Sequence, residues 1–263
     1  MTSRTLVVTR PQPEADHWVT LLQREGIASC ALPLMVIGPN TNPTAQAAIA
    51  QAVAQLHRYH ALMFVSGNAV RYFWQHLPSA STLLSPSTRC WSPGPGTTQA
   101  LLAAGIAASR IDQPSEQAPQ FDSEALWAQV HPQALAGRRV LVVRGGDGAS
   151  ATGQGRTWLT EQLLHRGVQV DFAPVYTRQA PTITGQWLAM AHTLREQQAI
   201  WLFSSSECVQ HLQSSQPTWD WSSHTALATH PRIAAQAQSL GFGHVVQTHP
   251  SVHSIAGSIK SLA

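Results

Sequence analysis

The segment VQVDFAPVYTR, Val168–Arg178, decides how the chain is divided. Its apolar positions read as a buried strand running into a turn. Before it, back to about residue 38, strands and helices alternate as one α/β unit. After it they alternate again, and the first 37 residues have the make-up of a displaced piece of that second unit. The expected organisation is therefore a discontinuous lobe of residues 1–37 and 176–263, with residues 38–175 inserted as a second lobe. Tyr176 and Arg178 fall where the chain crosses from one lobe to the other. A polar aromatic at such a crossing is expected to face a cleft, the usual place for a ligand.

The elements on either side follow from apolar periodicity. Thr5–Thr9 is a β-branched run suited to a strand covered on both faces, and Arg10-Pro11-Gln12-Pro13 breaks it. Ala15, Trp18, Val19 and Leu22 keep helical spacing, and Gly26 is placed to stop that helix. Ala31–Ile37 reads as one strand and Gly38–Pro43 as a linker. In the inserted part, strands are expected at Ala61–Val65, Arg89–Trp91 and Arg139–Val143, and beyond the crossing at Ala199–Phe203, Ala226–Ala228 and His244–Thr248. Helices fall between them, and Asp122-Ser123 reads as the cap of one of these. This alternation predicts a parallel sheet in each lobe.

The chain also repeats itself. TLVVTRPQPEADHWVTLLQREGI matches VLVVRGGDG…RTWLTEQLLHRGV; ALMFVSGNAV matches AIWLFSSSEC; TRCWSPGPGTTQALLAAGI matches HTALATHPRIAAQAQSLGF without a gap, Gly105 opposite Gly241. This is domain duplication, not a short-period solenoid. Each repeated turn sits after a strand and before a helix, so its backbone N–H groups lie at the carboxyl edge of a sheet. Such edges bind anions without a charged side chain.

Composition excludes several classes. Charged residues are only 11%, the formal net charge is +3, and Lys260 is the only lysine. No basic run suggests nucleic-acid binding, and no apolar run approaches the ~18 residues of a membrane span. The three cysteines, Cys30, Cys90 and Cys208, form no CxxC pair and read as buried free thiols of a cytoplasmic protein. The 13 histidines show no HExxH, so no metal site is expected. Gly94–Thr97 is not GxGxxG, and Gly145–Gly155 lacks the GK[ST] of a phosphate loop, so nucleotide binding is disfavoured. The second stretch reads either as a simple loop or as a lid. The nine tryptophans are assigned mostly to the apolar faces of helices, in the core.

Several residues stand at the expected sheet edges. Ser204, Ser205 and Ser206 form a helix cap or a cap that also binds an anion; GxSxG is absent, so they are not a nucleophile elbow. His230 and Arg232 lie in a comparable turn. Arg10 and Arg144 follow equivalent strands, where ion pairing competes with a binding role.

The ordered set VTRP…VSGNAV…GPGTTQAL…VVRGG…APVYTR…FSSSECV…THPRIA…LGF resembles the uroporphyrinogen-III synthase family over essentially the whole chain. The resemblance implies two Rossmann-like lobes joined by a two-stranded hinge. It implies cyclisation of hydroxymethylbilane, a linear tetrapyrrole, to uroporphyrinogen III, with loss of water and inversion of ring D through a spiro intermediate. It implies no cofactor and no metal, a monomer, and at most transient contact with the enzyme that makes hydroxymethylbilane. On this resemblance Tyr176 is the candidate proton donor. Ser66 and Thr97, with Gly67, Asn68, Gly94 and Gly145, belong to substrate-binding turns of the inserted lobe, and Ser204–Ser206 to the matching turn of the other. Two departures stand out. Ile233 stands where many members have a threonine, so that contact is either absent or supplied by His230 or Arg232, and Arg156 replaces an arginine normally found sooner. A two-lobed polyanion-binding or sensory module without turnover is the alternative; it would have no need of an acid at Tyr176.

Overall fold

The structure is a computed structural model and describes residues 4–77, 84–115, 123–133, 135–146 and 158–262. Asp122, Arg156 and the expected loop from residue 147 onward lie outside the described residues. The described residues form eleven strands and ten helices. They divide into a discontinuous unit, Met1–Ile37 with Gln179–Ala263, and an inserted unit, Gly38–Arg178.

In the discontinuous unit, β1 (Leu6–Val8), β2 (Ser29–Ala31), β9 (Ile200–Phe203), β10 (Thr225–Ala228) and β11 (His244–Gln247) form one sheet in the order β2-β1-β9-β10-β11. All its pairings are parallel. The inserted unit holds β4 (Ala61–Phe64), β5 (Arg89–Trp91), β6 (Ile111–Asp112), β7 (Arg139–Gly146) and β8 (Gln169–Gln179), in the order β8-β7-β4-β5-β6. These pairings too are parallel. The matched sequence segments occupy matched places: β1 corresponds to β7, β9 to β4 and β10 to β5. A further strand, β3 (Val36–Pro39), lies beside β8 at the edge of the second sheet. The chain leaves the discontinuous unit along β3 and returns along β8.

Both faces of each sheet are covered, which is why the strands are continuous apolar runs. In the discontinuous unit Val7, Trp201 and Phe203 enter one core cluster, while Leu6, Val8, Ile200 and Leu202 enter the other. The second cluster is closed by α1 (Glu14–Arg24) and by the terminal helix Val252–Ser261, through Leu22, Ile255 and Ile259. In the inserted unit Met63, Trp91, Val140 and Val142 pack on Leu126, Val130, Leu159 and Leu163 of two helices. On the opposite face Phe64 meets Phe73 edge-on, 5.8 Å between ring centres. Gly105 and Gly241, matched in the repeat, have φ of +86° and +104°. This is the left-handed helix stop that glycine adopts without a Cβ clash.

Several expectations are corrected. The single strand expected at Ala31–Ile37 is two, β2 and β3, interrupted around Pro33. Gly38 and Pro39, expected in a linker, end β3. The helix Gly185–Glu196 was not expected; Thr184 caps it by accepting the Trp187 N–H at 3.1 Å, and Ala191 and Leu194 anchor it in the core. Five of the nine tryptophans lie on helices, as expected, but the three fully buried ones sit on strands (Trp91, Trp201) and in the segment before β10 (Trp221). Cys90 and Cys208 are buried, whereas Cys30 is half-buried. The division falls at 178/179 and not at 175/176. The β7–β8 ladder continues through Gly145 opposite Tyr176 and Gly146 opposite Thr177, which holds Tyr176 in the inserted unit.

A fragment of residues 38–178 contains the inserted unit whole, and it is expected to give a cooperative thermal transition on its own by circular dichroism. A fragment of residues 1–130 lacks β7 and β8 and should not. The reverse result would place the division elsewhere.

Candidate active site

The inserted unit brings a set of side chains to the carboxyl ends of β8, β7, β4 and β5, four neighbouring parallel strands. Beyond β4, Ser66 caps the helix α3 (Gly67–Trp74), its Oγ accepting the Ala69 N–H at 3.2 Å. Beyond β5, Gly94 is the N-cap of α4 (Pro95–Ala103). Ser92 Oγ donates to the Gly94 carbonyl at 2.8 Å, and Thr97 is buried in the first turn. The two turns abut: a Cβ on Gly67 would lie 3.5 Å from the Gly96 carbonyl oxygen and 3.6 Å from Ala100 Cβ. Two helix N-termini, with their unsatisfied N–H groups, thus sit side by side, and Asn68 lies in the first turn of one of them.

Tyr176 is the centre of this edge. Its register on β7 is irregular: Arg144 pairs with Pro174, but Gly145 pairs with Tyr176, so Val175 is an extra residue on β8. Such a bulge re-aims the residue that follows it. Here it brings the Tyr176 ring over Gly145, where a Cβ would fall 2.7 Å from Cε2, 2.8 Å from Cζ and 3.2 Å from the phenol oxygen. Glycine is required at 145 for space. Tyr72 stacks on the ring, 6.0 Å between centres and 29° between planes. The phenol oxygen is 3.2 Å from Ser66 Oγ and accepts from Arg178 Nη2, also at 3.2 Å. Tyr176 is 1% exposed.

Arg144 is 6% exposed, with its guanidinium carbon 5.5 Å above the Phe172 ring. Its Nε is buried without a hydrogen-bond partner among the described residues. Burial pulls its pKa below the ordinary arginine value; Tyr176 works against that shift and Arg178 adds to it. A buried guanidinium without a carboxylate among the described residues is a costly group that an anionic ligand would compensate.

The other sequence candidates lie at the carboxyl ends of β1, β9 and β10 in the discontinuous unit. Ser205 caps the helix Ser206–Ser215, accepting the Glu207 N–H at 3.2 Å. Ser204 and Ser206 have buried Oγ atoms with no partner among the described residues. His230 caps the helix Pro231–Leu240, its Nδ1 accepting the Arg232 N–H at 3.1 Å, and Arg232 is exposed. Ile233 is buried in the core. Arg10 is engaged by Glu14 and by the Trp18 ring, 4.2 Å away, which gives it a structural role. Among the described residues no three His, Cys, Asp or Glu side chains group as a metal site.

Arg178 and Tyr72 are site residues that the sequence candidates did not include. Arg178 was legible in principle, since residues two apart on a strand share a face; the Tyr72 contact needs the fold.

Gly145→Ala forces the Tyr176 ring out of its seat. A loss of about 1–3 kcal/mol in stability is expected, as for overpacking, together with a fall in kcat on the order of 100-fold, as for a misplaced reacting group. Thermal melts and steady-state kinetics measure both. An Ala variant with full kcat would show that the seat is not needed.

The family model described as uroporphyrinogen-III synthase HemD matches residues 16–257. The uroporphyrinogen-III synthase of Escherichia coli (strain K12) is 28% identical over 247 residues, covering 90% of this chain and 92% of that protein. The enzyme of the same name from Salmonella typhimurium is 28% identical over 249 residues, with the same coverage. The fold is shared with the uroporphyrinogen-III synthetase of Helicobacter pylori (TM-score 0.58, 17% identity, 100% of both chains) and with a mutant uroporphyrinogen III synthase of Thermus thermophilus (TM-score 0.57, 15% identity, 99% of this chain and 98% of that one). This chain belongs to the uroporphyrinogen-III synthase family.

Proposed function

We propose that Tyr176 supplies the proton that carries off the substrate hydroxyl when this protein cyclises hydroxymethylbilane to uroporphyrinogen III. The family performs that cyclisation in tetrapyrrole biosynthesis, and the chain is a cyclising lyase of the family. One observation carries the role of Tyr176: a phenol oxygen at the carboxyl edge of the sheet, fixed between Ser66 and Arg178 and seated on Gly145. A polyanion-binding module has no use for such a group and is not favoured.

The chemistry follows from the residues. The pyrrole nitrogen pushes out the hydroxyl, leaving an electrophilic azafulvene, and a phenol positioned to give up a proton assists the departure. The harder demand is geometric, because the free substrate closes without inverting ring D. The carboxylate arms must be held so that the inverting attack is the near one. The N-terminal N–H groups of α3 and α4 and the buried Arg144 suit that task. Each charge-assisted hydrogen bond contributes about 1.5–3 kcal/mol. No helix among the described residues is long and apolar enough to cross a membrane. The reading supposes a cytoplasmic monomer, with no nucleic-acid or membrane partner, that receives its substrate by transient contact with the enzyme that makes it.

Tyr176→Phe keeps the ring over Gly145, so the melting temperature should move little. The kcat should fall about 10–100-fold, the lower end for general acid catalysis, because the pyrrole already drives the departure. Product separated by chromatography should remain isomer III. Full activity in the folded variant would remove Tyr176 as the acid, and isomer I formed at the normal rate would assign it the steering of ring D.

A further inference from the structure

The phenol of Tyr176 is buried, while Ser66 beside it is half-buried. Among the described residues the phenol oxygen makes two hydrogen bonds. One comes from Arg178, whose guanidinium can only donate. Either oxygen of the Ser66–Tyr176 contact can donate, and in the arrangement that serves catalysis the phenol hydrogen goes to Ser66 Oγ. That oxygen accepts the Ala69 N–H as well, and a hydroxyl has two lone pairs and one hydrogen. With both lone pairs taken, by Ala69 and by Tyr176, the Ser66 hydrogen is the one left to point outward. The bare face of Gly145 closes another side of the phenol oxygen, a Cβ there falling 3.2 Å from it.

We infer that Ser66 is a second catalytic residue, a relay that passes the Tyr176 proton to the departing hydroxyl; this rests on the reading of Tyr176 as the acid. The Ser66 O–H bond breaks as its hydrogen moves to the substrate hydroxyl. The phenol O–H bond breaks as its hydrogen moves to Ser66 Oγ. The substrate C–O bond cleaves, water leaves, and the pyrrole nitrogen lone pair completes the azafulvene. The phenolate keeps the electron pair of its O–H bond and is held by the Arg178 N–H. It is restored when the pyrrole carbon that closes the macrocycle gives up its hydrogen as a proton along the same path. Ser66 in this role is more than a substrate-binding hydroxyl, and Arg178 is the positioning residue that sets the direction of the chain.

The test separates relay from cap. Ser66→Asn keeps an N-cap side chain but cannot pass a proton, whereas Ser66→Thr keeps both functions. Ser66→Asn is expected to lower the single-turnover rate 10–100-fold, Ser66→Thr to recover most of that loss, and the Ser66→Asn/Tyr176→Phe double variant to be no slower than Tyr176→Phe alone. In mixtures of H2O and D2O the wild-type rate should fall along a curve, as for two protons in flight. Full activity of Ser66→Asn, or losses that multiply in the double variant, would overturn the relay while leaving Tyr176 as the acid. Full activity of Tyr176→Phe would instead remove the reading on which it rests.

Discussion

The site depends on the approach of one ring to one backbone: Tyr176 lies over Gly145 so closely that even a methyl group would not fit. Three features produce that contact. The β7–β8 pairing puts the two residues on adjacent strands, the extra residue Val175 sets their register, and the missing side chain at 145 leaves the space. Ser66, Arg178 and Tyr72 then have a fixed target. A general acid must be held within a fraction of an ångström to be useful, and strands buried on both faces are stiffer supports than loops.

The two units use one plan. The order β8-β7-β4-β5-β6 in one corresponds to β2-β1-β9-β10-β11 in the other, and each places strand–turn–helix junctions along one edge. The junctions have diverged in chemistry. After β7 stand a buried Arg144 and the bare Gly145; after the matching β1 stands Arg10, neutralised by Glu14 and stacked on Trp18. After β4 the Ser66 hydroxyl caps its helix and also reaches Tyr176. After β9 those tasks are separated, with Ser205 capping and Ser204 and Ser206 unpartnered among the described residues. Of the two matched edges, the inserted one carries the Tyr176 phenol held by Ser66 and Arg178.

Much of this was legible in the sequence, because buried parallel strands announce themselves as apolar runs and the repeat fixes which strands correspond. Tyr176 could be named from its place at the crossing, and Ser66 and Gly145 from the family resemblance. Their mutual contacts could not, since they depend on a one-residue bulge that leaves no mark on periodicity. For the same reason the lobe division was read three residues early. The Arg10–Glu14 pair follows an i, i+4 spacing open to view in the sequence, where ion pairing and binding compete as readings of Arg10. β6 escaped notice because two residues carry no pattern, and its Asp112 is held by the Arg89 guanidinium from the neighbouring strand.

The most direct measurement of the central claim, that the Tyr176 phenol gives up a proton in the reaction, replaces Tyr176 by ring-fluorinated tyrosines of increasing acidity and records kcat/KM against pH. The ring and its seat are nearly preserved, so only the acidity of the donor changes. The account predicts that the alkaline limb of the profile moves to lower pH in step with the acidity of the phenol. A limb that stays in place across the series, with activity intact, would contradict it.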